Sequence, residues 1–538
     1  MKLRIYPKLN LSFNVLLMLI ALFTLGLGLR VLDLTDPPLD FHATRQLHAA
    51  VIARGMYYQM LPSANPALRD QAIFLWRAQE VFEPPIFERL VALTYLLAGG
   101  EYLWFARLYS TLFWLVGGAA LFALARRMLA PMITVPAAQT IASTDPRAEA
   151  FNVSPAQTLY PTAGALAALA YYLVLPYGVT ASRSFQPDPM MVMWILLTAY
   201  TLFRWGENPT WKWTVLSGVF GGLAILTKVV AAFPVLAVLL AVALASLGLR
   251  KTLKDAKVWV MLSLIAFIPA VYYLFSIIQA SEGMASGILP LTVKLLQNPK
   301  FYTGWISLMG GIVSMPLAVI GLMGITLLPA KGRALMMGFW VGFGLYGLTF
   351  AYPISTHDYY NLPLIPIVAL SLAVVGAWMI GKVSEQPLFW KIIFVVTAIF
   401  AIGYPAWLAR SALLGSNYRS EIIGWRKMGA ELPTDGSIIA LSHDYSNRLQ
   451  YYGWRATAYW PTVADIDLRA LHGDTLSADN FRQYFEMKTG GFKYFLITLI
   501  GEFNAQPMLK SMLYDHYTLL SEGEGYILFD LSKPIQAP

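Results

Sequence analysis

Cysteine is absent from all 538 residues of the chain. Disulfides, thiolate metal sites and thiol-based catalysis are therefore excluded. The absence suits an oxidising exterior, but it is equally compatible with a reducing compartment.

Charged residues are scarce as well. They make up 13% of the chain, against 57% hydrophobic residues, whereas a typical soluble protein carries about 25% charge. A soluble fold could not hide that much apolar surface from water, so the chain belongs in a bilayer. The net charge of +9 is explained better by Lys and Arg in cytoplasmic loops than by nucleic-acid binding. We expect no nucleic-acid partner.

Several catalytic signatures are missing from the sequence. It contains no Walker A loop, no Rossmann glycine fingerprint and no HExxH motif. A cytosolic nucleotide-sugar reaction and a zinc protease therefore have no support. No internal repeat is visible either, although transporters tend to show inverted repeats.

Long apolar runs predict about eleven transmembrane helices, because a span needs roughly 20 mostly apolar residues and lipid forces each span to be a closed helix. The first is a retained helix rather than a signal peptide, with the N-terminus in the cytoplasm. An odd number of spans then places the C-terminus outside. The predicted spans are 12–32, 102–125, 160–181, 189–205, 213–228, 229–249, 258–280, 303–329, 334–352, 360–381 and 391–410.

The regions between and after these spans complete the predicted architecture, an α-helical polytopic membrane protein with a small extracytoplasmic α/β domain at the C-terminus. The membrane domain covers 1–410 and the outer domain 411–538, where charge rises and strands and short helices alternate. Three further segments are predicted: an external loop over 34–101, amphipathic helices in the membrane interface over 45–61 and 66–80, and a cytoplasmic loop over 130–159.

The external loop opens with a short polar segment, Leu34 to Gln46. Ionisable residues at a membrane face are candidates for function by default. Asp40 is either a helix cap or a general base that takes a proton from an acceptor hydroxyl. His42 and Arg45 are near enough in sequence to orient it, whereas a Pro-Pro turn explains Asp36.

Two further polar clusters contain acidic residues beside prolines. Glu83 precedes a Pro-Pro step and is either a catalytic carboxylate or an ordinary loop residue. Arg183 and Asp188 share a short external turn, where they either pair with each other or serve a substrate. In the second case Arg183 would bind a phosphate bidentately and Asp188 would face the sugar as a catalytic residue.

The last two clusters lie at helix junctions. Lys228 interrupts the otherwise uncharged stretch 213–249 and either snorkels to the interface or binds the donor phosphate. His357, Asp358, Tyr359 and Tyr360 form either a substrate-binding group or, for the tyrosines, part of an aromatic belt. On the predicted topology all five clusters lie on one membrane face, which suits an anionic lipid carrier and a base-activated acceptor.

At these residues the chain resembles the GT-C glycosyltransferases, in particular the family 39-like branch of protein O-mannosyltransferases and the lipid A aminoarabinose transferase. The resemblance implies transfer of one sugar from a polyprenyl or dolichyl phosphate on the outer face, generally without a nucleotide. It also implies that Asp40 is the base or acceptor binder, and that Lys228 lies near the carrier phosphate. The matching motifs are the acidic first loop, Phe82-Glu83-Pro84-Pro85, Arg183 with Pro187-Asp188, Leu226-Thr227-Lys228 and His357-Asp358-Tyr359-Tyr360.

The sequence therefore predicts an inverting, multi-pass glycosyltransferase of the plasma (inner) membrane. Its partners would be a polyprenyl-phosphate-linked sugar, membrane lipids and an acceptor protein, lipid or glycan. We expect no cofactor and no metal site; the alternative is a divalent ion shared by Asp40 and Asp188, as the resemblance to oligosaccharyltransferases allows. The alternative functions are a transporter or flippase of a lipid-linked glycan and a non-catalytic scaffold.

Overall fold

Helices form at every predicted span in the computed structural model, which describes residues 12–80, 83–130, 155–279, 293–523 and 525–534. Three short 3-10 turns lie between these helices, at Val229–Ala231, Ile325–Leu327 and Asp358–Asn361. The helices up to the outer domain are α1 Phe13–Arg30, α2 Ala43–Gln59, α3 Pro66–Arg77, α4 Ile86–Ala98, α5 Trp104–Leu129, α6 Pro155–Val174, α7 Pro176–Ala181, α8 Asp188–Glu207, α9 Trp211–Thr227, α10 Ala232–Leu247, α11 Leu249–Thr252, α12 Ala256–Gln279, α13 Pro299–Val313, α14 Met315–Gly324, α15 Ala330–Thr349, α16 Ala351–Thr356, α17 Leu364–Ser384 and α18 Leu388–Gly415.

Six of the described helices are long and apolar enough to cross a membrane, and a pair bent by 88°, α13 with α14, would make seven. The predicted spans 189–205, 213–228 and 334–352 form α8, α9 and α15 but do not reach that length and apolarity. The predicted span 160–181 is divided between α6 and α7 and also falls short. Most residues of α8, for example, are buried against other helices. Protein rather than lipid therefore surrounds its polar groups, and the helix need not be apolar along its whole length. The chain is a multi-pass membrane protein.

The predicted amphipathic helices of the first loop exist as α2 and α3, but α2 does not lie with one face in the interface. Its residues from Ala49 to Tyr57 are all buried. Gly55 lets α3 approach closely, since an added Cβ would lie 2.2 Å from the Cβ of Trp76. A helix enclosed in this way holds the polar loop before it in a fixed position. The predicted cytoplasmic loop 130–159 lies almost wholly outside the described residues.

The outer domain combines strands and helices, as the predicted α/β class requires, and forms a five-stranded mixed sheet with helices on both faces. The strand order is β2-β1-β3-β5-β4, with β1 parallel to β2 and β3, and β5 antiparallel to β3 and β4. Helix α18 continues a little beyond the predicted domain boundary at 411. The elements are α19 Arg419–Glu431, β1 Ile438–Leu441, a 3-10 turn His443–Ser446, α20 Asn447–Tyr452, β2 Ala458–Tyr459, α21 Val463–Leu471, α22 Ala478–Thr489, β3 Tyr494–Ile497, α23 Ile500–Asn504, α24 Pro507–His516, β4 Tyr517–Gly523 and β5 Tyr526–Pro534.

The two faces of this sheet pack into different hydrophobic cores. Alternate residues of a strand point to opposite faces, so Ile439 and Phe495 pack with α22 and α24 in the domain's own core. On the other face, Ala440 and Leu496 share a core with α2 and with Trp425 of α19. The outer domain is therefore seated on the helix that follows the polar loop.

Candidate active site

Lys228 occupies the break between two apolar helices. Helix α9 ends at Thr227, Lys228 itself is extended with φ −159°, and a 3-10 turn leads into α10. The residue is only 2% exposed. Its side chain is therefore buried rather than snorkelling, and a buried ammonium requires ionic partners.

Two carboxylates supply those partners. Lys228 Nζ donates to Asp188 Oδ1 at 2.9 Å and lies 3.8 Å from Glu83 Oε1. Asp188 begins α8, where the helix dipole favours negative charge. The alternative in which Asp188 pairs with Arg183 is wrong, because Asp188 is bound to Lys228 instead.

Arg45 adds a second cation to this group. Its Nη2 donates to Glu83 Oε2 at 3.2 Å, so the Glu83 carboxylate bridges Arg45 and Lys228. The Glu83 side chain is 24% exposed, whereas Asp188 is nearly inaccessible at 3%. Glu83 is consequently the partner that an incoming anion can displace most easily.

The 3-10 turn Asp358–Asn361 brings two aromatic rings to the same place. Lys228 Nζ lies 4.5 Å from the Tyr360 ring centroid and 5.2 Å from that of Tyr359, within the range of cation–π attraction. Asn361 anchors the turn, since its side chain donates to the Ile354 carbonyl at 2.9 Å and accepts from Trp305 at 2.8 Å. The tyrosines are thus part of the site, not of a lipid-facing belt.

His42 completes the cluster from the polar loop. Its Nε2 lies 2.6 Å from Asp358 Oδ1, and its ring lies 4.7 Å from that of Tyr359. The His42 backbone is left-handed, with φ +47° and ψ +62°, a conformation that costs a non-glycine residue roughly 1–3 kcal/mol and is typical of functional sites. His357 packs beside the two tyrosines, with ring centroids 5.7 and 6.2 Å away.

Asp40 lies next to this cluster and is held by two residues that the sequence did not single out. Arg107 Nη2 donates to Asp40 Oδ1 at 3.0 Å, and Gln46 Nε2 donates to the same oxygen at 3.3 Å. Oδ2 receives no hydrogen bond from the described residues. The cap interpretation is wrong, because the N-cap position of α2 is occupied by His42 and Asp40 caps no backbone amide.

Arg183 is not brought to the cluster. Its Nη1 and Nη2 donate to the backbone carbonyls of Leu32 and Asp33 at 2.7 and 3.1 Å. The side chain is buried, so these bonds secure the end of the first transmembrane helix. Burial lowers the pKa of this guanidinium to about 10. Both terminal nitrogens are thus committed to backbone carbonyls, and only Nε is without a partner among the described residues.

Asp36 does more than end a turn. Its Oδ1 accepts from the Tyr418 backbone amide at 3.0 Å and from Arg419 at 3.2 Å, and Arg419 also pairs with Asp33. These contacts tie the polar loop to the start of the outer domain. The outer domain thereby helps to position the loop that carries Asp40 and His42.

One of the two Asp40 partners, Arg107, could have been found by the signal that identified Lys228. Arg107 is the single charge in the apolar run 102–125, and such a charge needs a partner. Gln46 has no comparable signal in sequence, since polar residues are common in α2. Its amide joins distant segments by accepting from the Phe185 backbone amide at 2.9 Å.

No group of three or more His, Asp or Glu residues in the described ranges is placed to hold a metal ion. Asp40 and Asp188, the pair considered for a shared ion, are each engaged by a cation instead. The metal and cofactor expectations stay predictions.

Comparisons with known proteins agree with this architecture. A family model described as dolichyl-phosphate-mannose-protein mannosyltransferase matches residues 153–273. The structure of ArnT from Cupriavidus metallidurans bound to undecaprenyl phosphate is similar with a TM-score of 0.57 and 15% identity, over 96% of this chain and 98% of that chain. The apo structure gives a TM-score of 0.56 with the same identity and coverage. No curated protein sequence matches significantly.

The structural similarity extends over nearly the whole chain and includes the outer domain. The predicted GT-C fold is therefore confirmed. The family match covers all of α6 through most of α12, the segment that contains Asp188 and Lys228.

Proposed function

We propose that the chain is a membrane glycosyltransferase that moves one sugar from a polyprenyl-phosphate carrier to an acceptor protein, lipid or glycan, with inversion at the anomeric carbon. The observation that carries this proposal is the buried ammonium of Lys228 beside a partly exposed Arg45–Glu83 pair. ArnT, which shares the fold, is bound to undecaprenyl phosphate in its solved structure.

The two cations suit a carrier phosphate. Glu83 bridges Arg45 and Lys228, and a phosphate oxygen has the charge to take its place. Arg binds phosphate with directed hydrogen bonds, whereas Lys acts as a point charge. When the sugar leaves, both would stabilise the negative charge that develops on the phosphate. Asp188 would keep Lys228 oriented, and the substrate group of His42, Asp358 and the two tyrosines would border the sugar.

Asp40 is the carboxylate best arranged to act as base. Its Oδ1 is anchored by Arg107 and Gln46, while Oδ2 has no partner among the described residues. Both oxygens of Glu83 face cations, and Asp188 is buried. Asp40 Oδ2 would therefore take the proton of the acceptor hydroxyl. The hydroxyl oxygen bonds to the anomeric carbon, and the bond from that carbon to the phosphate oxygen breaks with its electron pair leaving on the phosphate.

The same proposal assigns a side to the site. With the N-terminus in the cytoplasm, as the distribution of Lys and Arg predicts, the site and the outer domain face the outer side of the plasma (inner) membrane. Labelling of cysteines introduced singly into the outer domain of intact cells would test this, because the natural chain has none.

The decisive experiment is transfer of radiolabelled sugar from polyprenyl phosphate in proteoliposomes. We expect D40N to lower kcat by roughly 100-fold or more, as loss of a general base does, with little change in KM for the donor lipid. D70N is the control, since Asp70 is an exposed carboxylate of α3 that pairs with its neighbour Arg69, and it should retain transfer. Full activity of D40N would refute the base assignment. Flux of labelled lipid across the vesicle without a covalent product would instead support the transporter alternative.

A further inference from the structure

A narrow cavity beside the Arg45–Glu83 pair has no role in the mechanism above. It lies between α2, the start of α4 and the segment before α8, and its walls include Glu88 and Gln186. The space open to water-sized groups is about 40 Å³. One water needs roughly 10–15 Å³ by the same measure, so the cavity can admit a hydroxyl or hydroxymethyl group but not a whole sugar ring.

Gln186 presents an unused amide at this cavity. The residue is 1% exposed, and neither its Nε2 nor its Oε1 has a hydrogen-bond partner among the described residues. A buried polar group without a partner destabilises the folded state, so most buried polar groups in folded proteins are satisfied. An amide with both its donor and its acceptor free is arranged for a ligand that supplies both functions.

The segment carrying Gln186 is held rigidly between the two halves of the site. The preceding residue, Phe185, donates its amide to Gln46, which in turn donates to Asp40. Two residues after Gln186, Asp188 binds Lys228. The segment that contains Gln186 therefore links the residues that hold the proposed base to those of the proposed phosphate site, and the transferred sugar would lie beside it.

The charges around the cavity favour a neutral group. Arg45 and Glu83 both line it and neutralise each other across a 3.2 Å bond, so a neutral group can enter without separating the pair. A sugar hydroxyl both donates and accepts a hydrogen bond, which matches the free carbonyl and the free NH₂ of a Gln side chain.

We propose that Gln186 recognises a hydroxyl or hydroxymethyl substituent of the transferred sugar and so selects the donor. This rests on the proposed function, because it requires a lipid-linked sugar in the site. Gln186 Oε1 accepts from the substituent and Nε2 donates to it, with the ring itself outside the cavity near Glu83.

The test is direct binding to the full-length protein in nanodiscs, without turnover. The probes are undecaprenyl phosphate alone and undecaprenyl phosphate carrying glucose, galactose, mannose or xylose. Xylose lacks the hydroxymethyl group of glucose, so that pair distinguishes the two kinds of substituent. We expect at least one sugar to bind at least tenfold tighter than the bare lipid, as a net hydrogen bond of 1.4 kcal/mol would produce.

In Q186M, which keeps the length of the side chain and removes its hydrogen bonds, we expect this sugar-dependent gain to fall roughly tenfold while affinity for the bare lipid is unchanged. S217A is the matched control: Ser217 Oγ is also buried without a partner, but it lies on α9 away from the cavity. It should keep the full gain. If Q186M does not fold, Q186N supplies the same comparison with a shorter arm.

Three outcomes would overturn the proposal: an undiminished sugar preference in Q186M, an equal loss of affinity for the bare lipid, or no sugar preference in the natural protein. The first two leave the proposed function intact, because that function is judged by radiolabel transfer in the natural protein. Absence of transfer would refute the function itself, whatever the binding data show.

Discussion

Replacing Lys228 with methionine, alone and together with D188N, should separate the effect of Lys228 on stability from its effect on sugar transfer. Lys228 and Asp188 are each 2% exposed and joined by a 2.9 Å bond. K228M would leave Asp188 buried with no cation and with Glu83 close by. Removing one partner of a buried ion pair costs about 3–5 kcal/mol, so we expect a clear fall in the thermal unfolding midpoint, with D188N falling similarly.

The double variant K228M/D188N separates the two roles. A buried ion pair replaced by neutral groups of similar volume is often neutral or stabilising, so the double variant should recover most of the lost stability. Sugar transfer should not recover, because the phosphate would still face one cation instead of two. Thermal unfolding in detergent and radiolabel transfer in proteoliposomes measure the two effects on the same preparations.

The result that would refute this reasoning is transfer near the natural rate in the double variant. Lys228 would then serve only to neutralise Asp188, and the phosphate site would have to lie elsewhere. K228R is a useful companion, since it keeps the charge but changes its geometry. We expect it to retain more stability than K228M and to raise KM for the donor.

Three further predictions concern Arg183, Glu88 and the need for a metal ion. R183Q should lower the thermal unfolding midpoint, because it leaves the Leu32 carbonyl without its donor at about 1–3 kcal/mol, whereas the Asp33 carbonyl keeps the Asp36 amide. KM for the donor should be unchanged, and a raised KM at unchanged stability would contradict this. Burial raises the pKa of the Glu88 carboxyl from about 4.5 to about 7. The folded protein therefore loses stability as the pH rises between these two values. At pH 8, E88Q should therefore be more stable than the natural protein by roughly 3 kcal/mol, with the difference vanishing below pH 4.5; equal melting at pH 8 would contradict the buried carboxyl. Transfer should persist in the presence of a chelator, and its loss with recovery on adding a divalent ion would establish a metal requirement.

Much of the fold follows from the sequence because lipid leaves few choices. An apolar run of about 20 residues must form a helix to satisfy its backbone in a bilayer, so a helix exists at each predicted span. The outer domain was predictable for another reason: its strands and helices alternate with clear periodicity, and the structure forms them where expected. The burial of α2 was not predictable, because it depends on a domain almost 400 residues further along the chain, shown by the contact of Arg54 with Tyr451.

Candidate residues were also visible in the sequence, because a charge in or near an apolar segment is expensive unless it has a partner or a function. Lys228, Asp188 and the turn containing Tyr359 were identified in this way, and the structure brings them together. The identity of each partner was not visible. Asp188 is nearer in sequence to Arg183 than to Lys228, yet it binds Lys228 across 40 positions.

The sequence by itself thus determined a bundle of membrane helices and the set of ionisable residues worth examining, since both follow from the local cost of placing polar groups in lipid. Only the tertiary structure decided how those residues are used. In the structure Arg183 donates to backbone carbonyls, Asp40 accepts from Arg107, and the Gln186 amide has no hydrogen-bond partner among the described residues. The physical reason is that an ion pair or hydrogen bond depends on distances of about 3 Å between atoms, and the packing of helices far apart in the chain sets those distances.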